Sequence, residues 1–306
     1  GLNLHLNEGD FVTVIGGNGA GKSTMLNAVA GTWFVDEGKI TIDDIDVTKL
    51  PEHKSAKYLG RVFQDPMTSL NPTMRVGAQI EEVFLGRTDV SKKEVKERAM
   101  DIMRLVGISD VEKRYKQYPH ELSGGMKQRV MIAIALVSRP SVIICDEPTT
   151  SLDVTIEAQI LDLLLELREK LGTSIIMITH DLGVISRLCD RVVVMYGGKI
   201  VEKGEIGEIF YNTAHPYTKG LMQSIAKLDT AKGEKLKPIE GTPPDLFAPP
   251  KGCPFAARCE YCMDVCEQLP PEAYTVADDH TTFCWLQHEM APETDLKKAT
   301  AKKGEV

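Results

Sequence analysis

The hydrophobic positions of this chain fall into short unbroken runs separated by longer stretches of helical periodicity. Phe11–Ile15, Val142–Cys145, Ser174–Ile178 and Arg191–Met195 are apolar, largely β-branched segments of strand length. Ser141-Val-Ile-Ile-Cys145 and Ser174-Ile-Ile-Met-Ile178 lack polar alternation, which predicts central strands covered by helices on both faces. Between them Ile156, Ile160, Leu163, Leu164, Leu167 and Leu171 recur at helical spacing, and Gly172 supplies a stop; this predicts a crossover helix. Ser91 and Glu94 form a capping-box pattern ahead of Val95, Ala99, Ile102, Met103 and Val106, with Gly107 beyond the end. Gly197-Gly198 between two strand-like runs is a hairpin signal. Strands alternating with helices predict an α/β fold around a mostly parallel sheet.

The pattern also divides the chain. An α/β domain is expected over residues 1–225, with a helical subdomain at about 71–138. Lys, Gly and Pro dominate 226–252, where Pro243-Pro244 and Pro249-Pro250 exclude regular helix, so this is expected to be a linker. A Cys-rich extension follows at 253–290, and the polar, lysine-rich end predicts a disordered tail over 291–306. The chain opens at Gly1 on an apolar alternation, Leu2, Leu4, Leu6, with no initiator Met or signal-peptide pattern; the expectation is a missing N-terminal strand.

Composition narrows the function classes. With 306 residues, 42% hydrophobic and 26% charged, the chain has enough apolar material for a large domain and an appendage. Its longest apolar run, Val130 to Val137, falls far short of the about 18 residues that span a bilayer. A net charge of −8 disfavours wholesale binding to nucleic acid or to an anionic membrane surface. Any membrane association is then expected to run through a protein partner.

Gly16, Gly17, Asn18, Gly19, Ala20, Gly21, Lys22, Ser23 and Thr24 fit G-x-x-x-x-G-K-[ST], placed after the strand Phe11–Ile15 and before a helical pattern through Met25, Leu26 and Val29. The bland alternative is a glycine-rich turn, which would not need both flanks. In a phosphate loop the backbone N–H groups wrap a β-phosphate, Lys22 reaches the β- and γ-phosphates and Ser23 ligates Mg²⁺. Val142-Ile-Ile-Cys-Asp146-Glu147 is an apolar strand ending in two carboxylates. That pattern offers Asp146 to the magnesium shell and Glu147 as the base that polarises an attacking water.

Between these motifs lies Leu122-Ser123-Gly124-Gly125-Met126, followed by Gln128-Arg129, which resembles the signature of the ABC ATPases. Gln64 in Phe63-Gln-Asp-Pro66 resembles the Q-loop, Asp153 in Ser151-Leu-Asp153 the D-loop, and His180 in Thr179-His-Asp181 the switch histidine. The resemblance covers residues 1 to about 225. It implies a P-loop NTPase of the ABC type that binds ATP and Mg²⁺, with the metal held through Ser23, Gln64 and Asp146. It also implies a head-to-tail dimer, with a paralogue or a second copy, in which Ser123, Gly124 and Gly125 close over the partner's nucleotide. His180 would hold the γ-phosphate and Glu147, and Gln64 would report nucleotide state to a transmembrane subunit.

From Gln64 onward, Gln64-Asp-Pro-Met-Thr-Ser-Leu-Asn-Pro72 and His215-Pro-Tyr-Thr-Lys-Gly-Leu221 resemble the oligopeptide, dipeptide and nickel importer branch. Residues 1–63, with Gly17-Asn-Gly-Ala-Gly-Lys22 and Val35-Asp-Glu-Gly-Lys-Ile40, resemble a different ABC ATPase group, the texture expected of a joint between two ABC genes. The branch implies an ATPase at the cytoplasmic face of the membrane, acting with two permease subunits and an extracytoplasmic solute-binding protein in peptide uptake. An ATPase of another importer branch, or one working in DNA repair or translation, is the alternative; the acidic balance and the lack of a long coiled-coil insert argue against the latter. Cys253, Cys259, Cys266 and Cys284, spaced C-x5-C-x6-C-x17-C, do not fit paired zinc modules. Some members of the branch hold a [4Fe-4S] cluster on such cysteines, with Zn²⁺ or free thiols as the alternatives. Cys262 has no assigned role, and Cys145 and Cys189 are expected to serve packing.

Overall fold

A computed structural model describes residues 2–84, 91–150, 152–224, 239–298 and 302–304. The chain forms two compact units, one of residues 6–11 and 23–184, the other of 1–5, 12–22 and 185–306.

The first unit is built on three parallel strands, Leu59–Val62, Val142–Asp146 and Ser174–Ile178, with Leu59 opposite Val142 and Cys145 opposite Met177. Their unbroken apolar runs are buried throughout the centre, Ile143, Ile144, Cys145, Ile175 and Met177 all at 1% exposure or less, as strands covered on both faces require. The crossover helix Val154–Leu171 turns Ile160, Leu163, Leu164 and Leu167 into the core and ends at Gly172 with φ 66°. The helical region contains Val76–Glu82, Lys92–Leu105, Val111–Arg114 and Gly124–Leu136. Ser91 caps Lys92–Leu105 by accepting from the Glu94 N–H at 3.3 Å. The predicted box is half made, because the Glu94 carboxylate accepts from Arg98 instead. A small hairpin, Thr41–Ile42 with Ile45–Asp46, was not foreshadowed by glycine: Asp43 and Asp44 take φ 49° and 63° at its turn, a conformation that Asp tolerates better than most residues.

The second unit carries a mixed sheet. The strand Phe11–Ile15 runs parallel to Arg191–Tyr196, which pairs antiparallel with Lys199–Glu205 through the predicted Gly197-Gly198 turn, φ 56° and 75°. His280–Thr282 and Tyr274–Ala277 add further antiparallel strands, and Lys302–Lys303 pairs with Tyr274 and Thr275. The mostly parallel sheet expected from the sequence therefore describes the first unit, while the second is mainly antiparallel.

The expected linker, 226–252, is irregular over 239–252, as its prolines dictate, and its residues 226–238 lie outside the described residues. The tail expected to be disordered over 291–306 is ordered where it is described: Leu296 is 3% exposed and packs with Cys284 and Leu286, and Lys297 Nζ donates to Ala291 O at 2.7 Å. Beside the buried Leu296, Gln287 Nε2 donates to Leu296 O at 2.8 Å and Lys219 Nζ to Asp295 at 2.6 Å, contacts that hold a polar segment whose composition alone would leave it loose.

Candidate active site

The phosphate-loop sequence emerges from the buried strand Phe11–Ile15 and leads into the helix Lys22–Val29. Two of its glycines are required by their surroundings. A Cβ on Gly16 would stand 2.2 Å from Met195 O, and Gly21, at φ 94°, would place one 3.2 Å from Gly198 Cα. Lys22 Nζ donates to Gly16 O at 2.7 Å and Gly17 O at 3.1 Å, so the ammonium folds back on the loop's own carbonyls. Ala20 N–H donates to Gly17 O at 3.1 Å and Gly198 N–H to Ala20 O at 3.0 Å. The Gly17 N–H donates to the Tyr217 hydroxyl at 2.7 Å. Asn18, Gly19, Ser23 and Thr24 are exposed, leaving the loop tip and the first helical turn open to an anion.

In the other unit, Glu147 follows the strand Val142–Asp146 in a left-handed conformation, φ 47°. Such a conformation costs on the order of 1–3 kcal/mol in a residue with a side chain and is commonest where function demands it. The Glu147 N–H is anchored to Ile178 O at 3.0 Å, which fixes the side chain at the end of two adjacent strands. Its carboxylate accepts from Gln64 Nε2 at 3.0 Å and from Thr150 Oγ1 at 3.2 Å. His180 Nδ1 lies 3.3 Å from the other carboxylate oxygen. The Glu147 side chain is 25% exposed and that of His180 72%. A carboxylate oriented by an amide and a hydroxyl, yet still reached by water, is suited to polarise that water.

Gln64 is therefore turned toward Glu147 in this state. Ser23 and Asp146 supply hard oxygen donors of the kind Mg²⁺ takes, and a magnesium ion keeps most of its shell for water and phosphate, so these residues fit the metal. Ser123 caps the helix Gly124–Leu136 by accepting from the Met126 N–H at 3.4 Å, with Ser123 and Gly124 exposed. Asp153 takes the capping position of Val154–Leu171 and makes no capping bond; it is exposed beside Val154, itself 81% exposed. Thr150 was not foreshadowed by the motifs. Gln128, part of the signature pattern but without a role assigned from sequence, is fully buried, and its amide donates to Pro148 O at 2.6 Å, tying the signature helix to the segment after Glu147.

Cys253, Cys259, Cys266 and Cys284 line one cavity of about 10 Å³ beside Phe255 and Tyr261. Burial pushes the Cys253 thiol to about 11 and that of Cys259 to about 12, and holds that of Cys284 well above its ordinary value. Cys262 stays outside, exposed, with its thiol 3.7 Å from Met263 O. The iron-sulfur expectation finds no support here: no group of three or more His, Cys, Asp or Glu among the described residues stands in a metal-holding arrangement. Cys145 and Cys189 are buried in packing.

Comparison with known proteins places this geometry in a family. The family described as ABC transporter matches residues 1–150, and that described as Oligopeptide/dipeptide transporter, C-terminal region, matches 201–266. The oligopeptide transport ATP-binding protein OppD of Bacillus subtilis is 46% identical, over 99% of this chain and 87% of its own length. The dipeptide transport ATP-binding protein DppD of the same organism is 46% identical over 97% and 91%. Both alignments run across the junction near residue 64. Among solved structures, the ATP-binding cassette MJ0796 in a dimeric post-hydrolysis state bound to ADP and Pi superposes with a TM-score of 0.58 at 32% identity, over 67% of this chain and 89% of that one. CbiO1 from Clostridium perfringens, part of the transporter complex cbiONQ, gives 0.62 at 31% identity, over 70% and 84%. The chain belongs to the ABC transporter family, among its oligopeptide and dipeptide transport ATP-binding proteins.

Proposed function

We propose that this chain is the ATP-hydrolysing subunit of an importer that takes up oligopeptides or dipeptides, working beneath a permease it does not itself contain. The observation that carries the proposal is the grip on Glu147: a strained carboxylate at a strand end, oriented by Gln64 and Thr150 and facing His180. Glu147 polarises the attacking water, and His180, with its ring largely open, is available to a phosphate oxygen. The loop from Gly16 to Thr24 presents backbone N–H groups and Lys22 to the β- and γ-phosphates, Lys22 exchanging its two carbonyl partners for phosphate oxygen. Mg²⁺, when bound, would offset negative charge on the phosphates, and Ser23, Asp146 and Gln64 are the residues that would hold it.

The capped helix start at Ser123, Gly124 and Gly125 is a second anion site, offered to the nucleotide of a partner cassette, and exposed Asp153 and Val154 belong to the same joining surface. The dimeric cassette among the structural relatives supports this arrangement. No described helix is long and apolar enough to cross a membrane. In this proposal the chain works at the membrane face through two permease subunits, with an extracytoplasmic binding protein choosing the solute. The four thiols line one cavity without standing in a metal-holding arrangement; a single soft metal ion that drew them together is what their donor chemistry alone would take. Iron, sulfide and zinc analysis after anaerobic purification tests this separately, and finding no metal removes it. Steady-state Mg-ATPase, for the chain alone and reconstituted with its permease, tests the main reading: peptide-stimulated hydrolysis is expected, and no hydrolysis in the reconstituted complex would sink it.

A further inference from the structure

Tyr217 stands apart from every motif that names phosphate chemistry, yet its hydroxyl accepts the Gly17 N–H at 2.7 Å. The residue is 2% exposed and sits in the helix Pro216–Gln223, whose first turn is capped by His215 Nδ1 accepting from the Tyr217 N–H at 3.0 Å. Two aromatic rings hold the phenol in place. Tyr196 lies 4.6 Å from it and Phe255 5.4 Å, and Phe255 meets Tyr196 edge to face at 5.1 Å. Arg258 closes the group, donating to the Tyr196 hydroxyl at 3.0 Å. Phe255 and Arg258 belong to the Cys-rich segment, and Phe255 also lines the cavity of the four thiols.

A second contact runs the same way. Gly198 N–H donates to Ala20 O at 3.0 Å. Beside it a Cβ on Gly197 would come 2.8 Å from Pro254 Cβ, so the extension packs directly on the turn that holds the loop. Both ends of the loop's tip, Gly17 and Ala20, are thus fastened by backbone hydrogen bonds to elements on which residues 254–258 rest.

We infer that the C-terminal extension braces the phosphate-binding loop, with Tyr217 as a positioning residue that sets nucleotide affinity. The inference deepens the proposed function and rests on its reading of Gly16–Lys22 as the phosphate loop. The loop must present its N–H groups in one arrangement to a bound phosphate, and a loop already fixed loses less freedom on binding. Tyr217 touches neither phosphate nor metal in this scheme. It acts by fixing the peptide that joins Gly16 and Gly17, whose carbonyl side is held by Lys22.

The test uses the full chain carrying Tyr217→Phe, which keeps the ring and removes the hydroxyl, and Phe255→Leu, which keeps apolar bulk and removes the ring that flanks it. In Tyr217→Phe the KM for ATP and the Kd for MgADP should weaken about fivefold, the equilibrium value of one ordinary hydrogen bond, with kcat within about twofold, since only binding that ground state and transition state share has been lost. The Gly17 amide should exchange faster with solvent without nucleotide. Phe255→Leu should shift KM the same way, and the double variant should lose less than the sum of the two. Unchanged KM and unchanged Gly17 exchange in Tyr217→Phe overturn the inference, as does a loss confined to kcat, which would mark a merely structural residue. If the unsubstituted chain neither binds nor hydrolyses ATP, the proposed function fails instead, and the Gly17 exchange comparison still decides whether the brace exists.

Discussion

Two glutamate–histidine pairs in this molecule are made of the same groups and lead opposite lives. Glu147 and His180 face each other at 3.3 Å with side chains 25% and 72% exposed. Glu202 and His280 meet at 2.8 Å with both side chains fully buried, and the second ring nitrogen of His280 lies 3.4 Å from Glu208 Oε2. The Ala214 N–H also donates to Glu202 at 2.6 Å. The open pair costs little to break, so a ligand can rearrange it. The closed pair ties the strand His280–Thr282 to Lys199–Glu205, and breaking it strands a carboxylate in a site without water. Solvent, not residue identity, separates a pair that works from a pair that holds.

The sharpest way to break the comparison is to neutralise both glutamates. Glu147→Gln keeps shape and removes the base, so turnover should fall by about 10² to 10⁴ with ATP binding retained; steady-state Mg-ATPase and nucleotide binding measure the two. Unimpaired hydrolysis would take Glu147 out of its role. In the closed pair, His280→Ala should cost on the order of 3 kcal/mol of stability, because it leaves Glu202 buried without its partner. Replacing both members, Glu202→Leu with His280→Leu, should cost less than either single change. Denaturant unfolding checks this, and a His280→Ala variant as stable as the parent would show that the pair holds nothing.

The same contrast between local and distant information governs what the sequence made legible. The phosphate loop is nine consecutive residues, Gly16 to Thr24, between a strand and a helix, and its chemistry is written in that contiguity. The long apolar helix Val154–Leu171 and its Gly172 stop were equally plain, because period and terminator lie on one segment. Glu147 gathers partners from residues 64, 150 and 180. Of these, Gln64 and His180 were reached through a family resemblance, and Thr150, a hydroxyl in a turn, carried no signal. Tyr217 lies 200 positions from the Gly17 it holds, a pairing that only the folded chain reveals. The tail misled for the opposite reason: Leu296 is one apolar side chain in a polar run, and burial of a single residue leaves no periodicity to read. The cysteine spacing suggested a metal ligand set, for which the described residues show no metal-holding arrangement; spacing along a chain carries no measure of how side chains stand toward one another in space.

A further prediction tests what a histidine without any carboxylate does. His215 is buried, and burial depresses its pKa from 6.5 to about 3. Between those values the unfolded chain takes up a proton that the folded chain refuses. Stability contributed by the neutral ring is thus complete above about pH 6.5 and is lost as pH falls toward 3, at up to about tenfold in the folding equilibrium per pH unit. His215→Asn, which preserves a capping acceptor, should flatten that dependence, read from thermal midpoints measured across the window. A slope unchanged by the substitution would assign the acid sensitivity elsewhere.

The smallest effect is the one that most directly sharpens the comparison. His180→Ala removes the open pair's histidine, and since that ring is 72% exposed its loss strands no buried group. Stability should change by less than about 0.5 kcal/mol, several-fold below the expected cost at His280, while Mg-ATPase activity falls because the carboxylate and the phosphate lose their common neighbour. Measured side by side in one denaturant series, the two alanine variants separate the roles: a large stability loss at position 180 would mean that the open pair is also a clasp, and that exposure alone does not mark the residues free to work.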